Sequence, residues 1–142
     1  MATVSTYLNF AGHTEEAFEF YRSVFGGEFT GIQRFSEVPQ PPGAPPISPT
    51  LANMVINIAL PILGGHILMG TDAPAEMGFT VTHGNATHIM LHPDTREEAD
   101  RIFEALSVGG AVEHAMQEMF WGAYFGNFTD KFGTCWMINV AN

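Results

Sequence analysis

The chain has 142 residues, 46% of them hydrophobic and 14% charged, which is enough apolar material for one folded domain and too little charge for a disordered one. Five Lys and Arg against fifteen Asp and Glu give a net charge of −10, which argues against nucleic-acid partners and anionic membrane surfaces, because both require a basic footprint. No apolar run approaches the roughly 18 residues of a membrane span, the first ten residues show no basic-then-apolar leader, and the single cysteine, Cys135, forms neither an intramolecular disulfide nor a cysteine-rich zinc site, so a cytoplasmic location is expected.

The elements follow in chain order. Thr3 to Phe10 is rich in β-branched and aromatic residues and reads as a strand. An acidic helix start follows, with Thr14 as the expected cap. Apolar residues at 17, 20, 21 and 24 form the stripe of a helix with one buried face, and Gly26-Gly27 is suited to end it. Strands are predicted over 28–35, 53–60 and 66–71. Between the first two, Ser36 to Ala52 holds six of the nine prolines and cannot be an inner strand. It is expected as a loop or extended cover: a surface excursion, a lid or a dimer arm. After a polar linker of about residues 73–86, Thr87 to His92 reads as a strand. Thr95 and Glu98 have capping-box spacing, 99, 102, 103 and 106 form a second helical stripe, and Gly109-Gly110 is expected to end it. Strands are predicted over 111–117, 122–128 and 134–140.

These elements are one pattern written twice. Thr6 to Gly27 aligns without gaps on His88 to Gly109 at an offset of 82, with Glu15-Glu16-Ala17 on Glu97-Glu98-Ala99. Gly65 to Met69 aligns on Gly133 to Met137. The predicted fold is α+β: two βαβββ modules, about 1–72 and 87–142, packed as one domain with pseudo-twofold symmetry.

Paired βαβββ modules in so short a chain resemble the vicinal oxygen chelate superfamily of glyoxalases, bleomycin- and fosfomycin-resistance proteins and extradiol dioxygenases. In detail the chain resembles the PhnB-like family. That likeness rests on Tyr7-Leu8-Asn9-Phe10, Phe20-Tyr21, Phe25-Gly26-Gly27, Gln117, Phe120-Trp121-Gly122, Asp130, Phe132-Gly133 and Trp136-Met137-Ile138-Asn139. Such proteins often carry the label of 3-demethylubiquinone methyltransferases. A nucleotide-type methyl-donor site needs a Gly-rich turn from strand to helix, and Phe10-Ala11-Gly12-His13 is not one. The resemblance implies curved mixed sheets forming a cup, a homodimer, and in the metal enzymes four inward ligands, which fall here at Thr6, Met69, His88 and Met137. Only His88 is a good ligand for a divalent ion; thioethers are soft and a Thr hydroxyl is weak.

The other histidines do not rebuild such a site by spacing. His92 lies about 13 Å from His88 along the same strand, His66 faces away from Met69, and His13 and His83 fall in turns or linkers. His114 is on a strand near Glu113, and spacing alone does not place it. Asp130 reads as a turn residue with Gly133, and Cys135 as an unreactive buried thiol.

The expected function is therefore metal-independent binding of a small molecule in a cup lined by Thr6, Leu8, Met69, His88, Met90, Gln117, Phe120, Trp121 and Met137, with no cofactor. Methionines and aromatics suit a hydrophobic or planar ligand, and ordinary core packing would explain them equally. His88 is the best catalytic candidate. The alternative is a metal-dependent lyase, isomerase or dioxygenase using His88 with non-standard ligands. A purely structural dimer would have a plugged cup.

Overall fold

The repeat is visible in a computed structural model that describes residues 1–141. The chain divides into a first compact unit, Met1–Val81, and a second that begins at Thr82. In the first unit β1 (Thr6–Phe10) leads into α1 (Thr14–Phe25), followed by β2 (Gly31–Arg34), the short α2 (Pro49–Asn53), β3 (Val55–Pro61) and β4 (Ile67–Asp72). In the second unit β5 (Ile89–Leu91) leads into α3 (Arg96–Leu106), then β6 (Ala111–Glu118), β7 (Tyr124–Thr129) and β8 (Cys135–Val140).

The two sheets have strand orders β1-β4-β3-β2 and β5-β8-β7-β6, which are the same order. In each, the first and last strands pair in parallel and the other neighbours are antiparallel. The crossover helix makes the parallel pair possible, because parallel neighbours cannot be joined by a tight turn.

Each helix lays its apolar stripe on one face of its own sheet. All four predicted stripe residues of α3, Ala99, Ile102, Phe103 and Leu106, are buried, and the Phe103 ring meets Phe128 of β7 edge-on at 4.9 Å. On α1 the buried set is Thr14, Ala17, Phe18, Tyr21 and Val24, so Phe18 takes the place expected for Phe20, which is half-buried. A Cβ on Gly70 of β4 would lie 2.6 Å from the Phe18 ring. Glycine at that position lets the helix sit close to the sheet.

Four local expectations are corrected. Strand β2 is shorter than the predicted 28–35, because a 3-10 turn occupies Phe35–Glu37. The proline-rich stretch contains α2: Ser48 Oγ accepts from Leu51 N at 3.1 Å, and Pro49 occupies the first helical turn, where its missing N–H costs nothing. Thr14 is not the cap of α1. It is the first helical residue, His13 at the cap position gives no capping bond to the helix, and Thr14 N and Oγ1 both donate to Asp72 Oδ1, at 3.0 and 2.6 Å. Helix α3, by contrast, has the predicted cap, with Thr95 Oγ1 accepting from Glu98 N at 3.1 Å. It ends at Leu106, short of the expected Gly109-Gly110. Gly110 serves packing instead, since a Cβ there would lie 2.1 Å from the Thr129 carbonyl oxygen.

Candidate functional site

Pleating sends alternate side chains to opposite faces of a strand, and register then extends each face across the sheet. In the second unit α3 covers the face holding Trp136, Ile138 and Phe128. The opposite face carries the row Met90–Met137–Asn127–His114. Beside it runs the row Asn139–Phe125–Gln117. His88 lies two residues before Met90, on the same face by alternation, and is half-buried. Met137 is half-buried and Met90 is 44% exposed. Trp121, 54% exposed in the β6–β7 turn, reaches this face through Phe125, its ring centroid 6.1 Å away. Phe120 stacks edge-on against Trp121 at 4.9 Å and is 97% exposed at the hairpin tip. The second unit thus gathers His88, Met90, Gln117 and Met137 on one helix-free face, with Trp121 at its rim.

The first unit does not treat its predicted residues alike. Thr6 pairs with Leu68 and Leu8 with Gly70, so both lie on the face that α1 covers. Thr6 Oγ1 is 2.8 Å from His66 Nε2 on that side. Met69 pairs with Tyr7, on the other face. Thr6 and Leu8 therefore do not share a face with Met69, which corrects the expected lining. The cause is a one-residue slip, which turns every side chain of a strand over. The helices repeat at an offset of 82, but the first strands repeat at 83: Tyr7 and Met90 each pair with the corresponding methionine of the last strand. One extra residue in the β1–α1 turn absorbs the difference.

The helix-free face of the first unit is more polar than expected. Asn9 pairs with Thr71, and Asn57 with Gln33. Next to them Tyr7, Met69, Ala59 and Gly31 form a less polar row. Among the described residues Asn57 Oδ1, which is buried, has no hydrogen-bond partner.

The donor set does not fit a divalent metal of the superfamily's kind. Thr6 is turned to the helix face and engaged by His66, and Met69 and Met137 offer thioethers, which suit softer ions. Among the described residues no three His, Cys, Asp or Glu side chains gather at one point. The buried carboxylates have structural partners: Asp72 also accepts from Val55 N at 2.8 Å, and Asp130 accepts from Phe132 N, Thr134 N and Trp136 Nε1. The shifted titrating groups lie off the helix-free faces. The Arg34 guanidinium grips Glu15 with two bonds of 2.9 and 2.7 Å, holding its carboxyl below the usual carboxylate range and raising its own value. The Tyr124 hydroxyl donates to Asp100 Oδ1 at 2.6 Å, which raises its pKa. A cleft of about 480 Å³ at the start of α1 is lined by Glu15, Glu16, Glu19 and Asp72 among others and includes none of the expected lining residues.

A family model described as 3-demethylubiquinone-9 3-methyltransferase matches residues 2–139. The chain belongs to this family. Among curated relatives it is 33% identical to Protein YjdN of Escherichia coli K12, over 96% of this chain and 94% of that one. Among solved structures it superposes on protein PA1353 from Pseudomonas aeruginosa with a TM-score of 0.83 and 30% identity, covering 99% and 98% of the two chains. The PhnB protein from Bacillus cereus gives a TM-score of 0.75 and 30% identity, over 99% and 100%. Fosfomycin resistance protein FosX from Listeria monocytogenes, at 11% identity and a TM-score of 0.66 over 100% and 95%, shows the shared fold alone. The glyoxalase/bleomycin-resistance fold is thus common to this 3-demethylubiquinone-9 3-methyltransferase-type family and to its distant neighbours.

For this family member, sequence reasoning missed Tyr7 and Asn9, because the offset of 82 put the wrong parity of β1 on the open face, and it did not name their neighbours Asn57 of β3 and Thr71 of β4. It also missed Asn127, whose neighbours are set by an irregular register that no local pattern announces.

Proposed function

We propose that the chain is a metal-independent small-molecule-binding protein of the glyoxalase/bleomycin-resistance type, and that its ligand contacts His88, Met90, Gln117, Trp121 and Met137 on the helix-free face of the second sheet. The observation that carries the reading is the chemistry of that face. It is built of thioethers, an aromatic rim, amides and imidazoles, with no cluster of acidic or thiolate ligands among the described residues. Thioethers adapt to varied apolar shapes, aromatics offer flat contact, and a few polar groups fix orientation. Met69, beside Tyr7 in the first unit, has the same character.

The methyl transfer in the family's description is not part of this proposal. A methyl-donor nucleotide is usually held by a glycine-rich turn at a helix N-terminus. Here the first turn of α1 is engaged by the chain's own Asp72 carboxylate.

We also propose a homodimer acting in the cytoplasm. β2 and β6 are edge strands, and seven of the eight β6 residues are exposed, a row of unpaired backbone that proteins commonly cover. Among the described residues no helix is long and apolar enough to cross a membrane. Light scattering on the purified chain checks the dimer.

The test of function is a small-molecule screen followed by His88→Ala and Trp121→Ala. Losing a buried contact of this kind should weaken a true ligand about tenfold or more, roughly 1.4 kcal/mol. Unchanged affinity in both variants would remove the site assignment. Elemental analysis of chelator-free protein is the companion measurement. About one equivalent of a transition metal per chain would put the metal-dependent lyase, isomerase or dioxygenase reading first.

A further inference from the structure

Glu113 and His114 are neighbours on an edge strand, where a regular pleat would send their side chains to opposite faces. The β6–β7 ladder slips here: Val112 pairs with Phe128 and His114 with Asn127, so two steps on β6 match one on β7. The extra residue lets both side chains reach Asn127. The Asn127 amide nitrogen donates to Glu113 Oε2 at 3.2 Å, and its Oδ1 lies 2.8 Å from His114 Nδ1. Asn127 is only 5% exposed, so its amide relies on these two partners, whose own side chains are half exposed or more.

Chemistry fixes the direction of this chain. A carboxylate only accepts, so the Asn127 NH₂ faces Glu113 and Oδ1 faces the imidazole. Oδ1 also only accepts, so the proton sits on Nδ1 and the neutral ring presents a bare Nε2. The contacts of His114 are through Nδ1. Its side chain is half exposed and belongs to the row Asn127–Met137–Met90, on the same helix-free face as His88.

We propose that His114 is a general base, held in one tautomer by Glu113 and Asn127, for a weakly acidic O–H or N–H group of a neutral small molecule on this face. The proton leaves the ligand's oxygen or nitrogen, whose bonding pair stays behind as an anion, and forms a bond to Nε2. The resulting imidazolium keeps its Nδ1–H on Asn127 Oδ1, and its charge faces Glu113, whose Oε1 lies 4.0 Å from Nδ1. Glu113 and Asn127 are positioning residues that orient the base. The presence of a ligand on this face rests on the binding function proposed above; the tautomer does not.

The test uses the full chain labelled with ¹⁵N and long-range proton–nitrogen correlation of the histidine rings. His114 is expected as the Nδ1–H tautomer. Glu113→Ala, a substitution at an exposed position, frees the Asn127 amide to turn over and should abolish the single tautomer without unfolding the chain. An Nε2–H tautomer in the native chain, or an unchanged tautomer in Glu113→Ala, would overturn the proposal. Diethyl pyrocarbonate supplies a second probe, because it acylates an unprotonated ring nitrogen. His114 should be modified at Nε2 in the native chain; no modification of His114 under conditions that modify His92 would also overturn it. If the tautomer is found but His88→Ala and Trp121→Ala leave every screened ligand unaffected, the held tautomer stands, and the ligand-binding function fails separately and with it the role of His114 as a base toward that ligand.

Discussion

The two units share a strand order but start their helices by different physics. In the second unit the start of α3 is local: Thr95, three residues from Glu98, accepts its backbone N–H, and the bond is readable from spacing. In the first unit the start of α1 is tertiary. The carboxylate of Asp72, at the far end of the sheet's last strand, accepts from Thr14 N, Thr14 Oγ1 and Val55 N. One carboxylate there joins the first turn of the helix to the beginning of β3. A repeat of topology therefore does not require a repeat of stabilising contacts, and the longer-range device concentrates more of the unit's integrity in a single side chain.

The comparison is broken most directly at Asp72. Asp72→Ala strips three donors of their acceptor in a buried setting, and bonds to a charged group are worth about 1.5–3 kcal/mol each, with a further penalty for donors left unpaired. The three bonds share one carboxylate and do not add, so the expected loss is that of breaking a buried charged network, about 3–5 kcal/mol of unfolding free energy in urea titration. If the loss is no larger than for the Thr95 cap, Asp72 does not have the role given to it here.

The same contrast explains what was legible in the sequence. The elements of the second unit follow local rules: all four α3 stripe residues are buried and the Thr95 cap is in place. The fold class was legible because periodicity and repetition are local signals. Thr14 was misread because its partner is 58 residues away, and no spacing rule reaches that far. The proline-rich stretch was expected as a loop or extended cover, but its Pro49 occupies a first helical turn, a position where proline is favoured. On the candidate site, His88, Met90 and Met137 could be placed by parity within one module, whereas Gln117 was named from the family resemblance and lies beyond a second register shift in β6. Thr6 and Leu8 could not, because parity in β1 depends on the length of a turn. Asn127 and the alignment of Glu113 with His114 depend on a bulge, which sequence alternation does not show.

Two close approaches sharpen the comparison at the next level of effect. A Cβ on Gly110 would meet the Thr129 carbonyl oxygen at 2.1 Å, a backbone atom that cannot rotate away. A Cβ on Gly70 would meet the Phe18 ring at 2.6 Å, a side chain that can shift. Overpacking of this kind costs about 1–3 kcal/mol. Gly110→Ala is expected at the top of that range and Gly70→Ala lower, read as the difference in urea midpoints at constant slope. The reverse order would mean that the α1 contact is the more rigid of the two.

Below these lies Thr95→Ala. Loss of an exposed helix cap costs about 1 kcal/mol, and here nothing else is deprived, since Thr95 Oγ1 serves the single backbone donor Glu98 N. Circular dichroism and urea titration should show a small loss with the fold intact. A loss approaching that of Asp72→Ala would erase the distinction between local and tertiary starts.

The smallest expected effect is electrostatic and belongs to the first unit. Arg34 of β2 holds Glu15 of α1 through two bonds, and the carboxyl titrates below its usual range because those bonds favour the charged form. A lowered pKa in the folded state means that the folded protein resists protonation more than the unfolded chain does. The stabilisation is therefore full above the unfolded value and disappears as pH falls through the folded one. Both side chains are partly exposed, 46% for Glu15 and 31% for Arg34, so solvent screening keeps the contribution below about 1 kcal/mol. Glu15→Gln should lower stability slightly at neutral pH and not at all in strong acid, where native Glu15 is protonated too. The difference between the two proteins should close as pH drops through the acidic carboxylate range and shrink with added salt. A difference that is constant with pH would assign the effect to packing of the Glu15 stem rather than to its charge, and α1 would then be tied to the sheet by Asp72 without electrostatic help from β2.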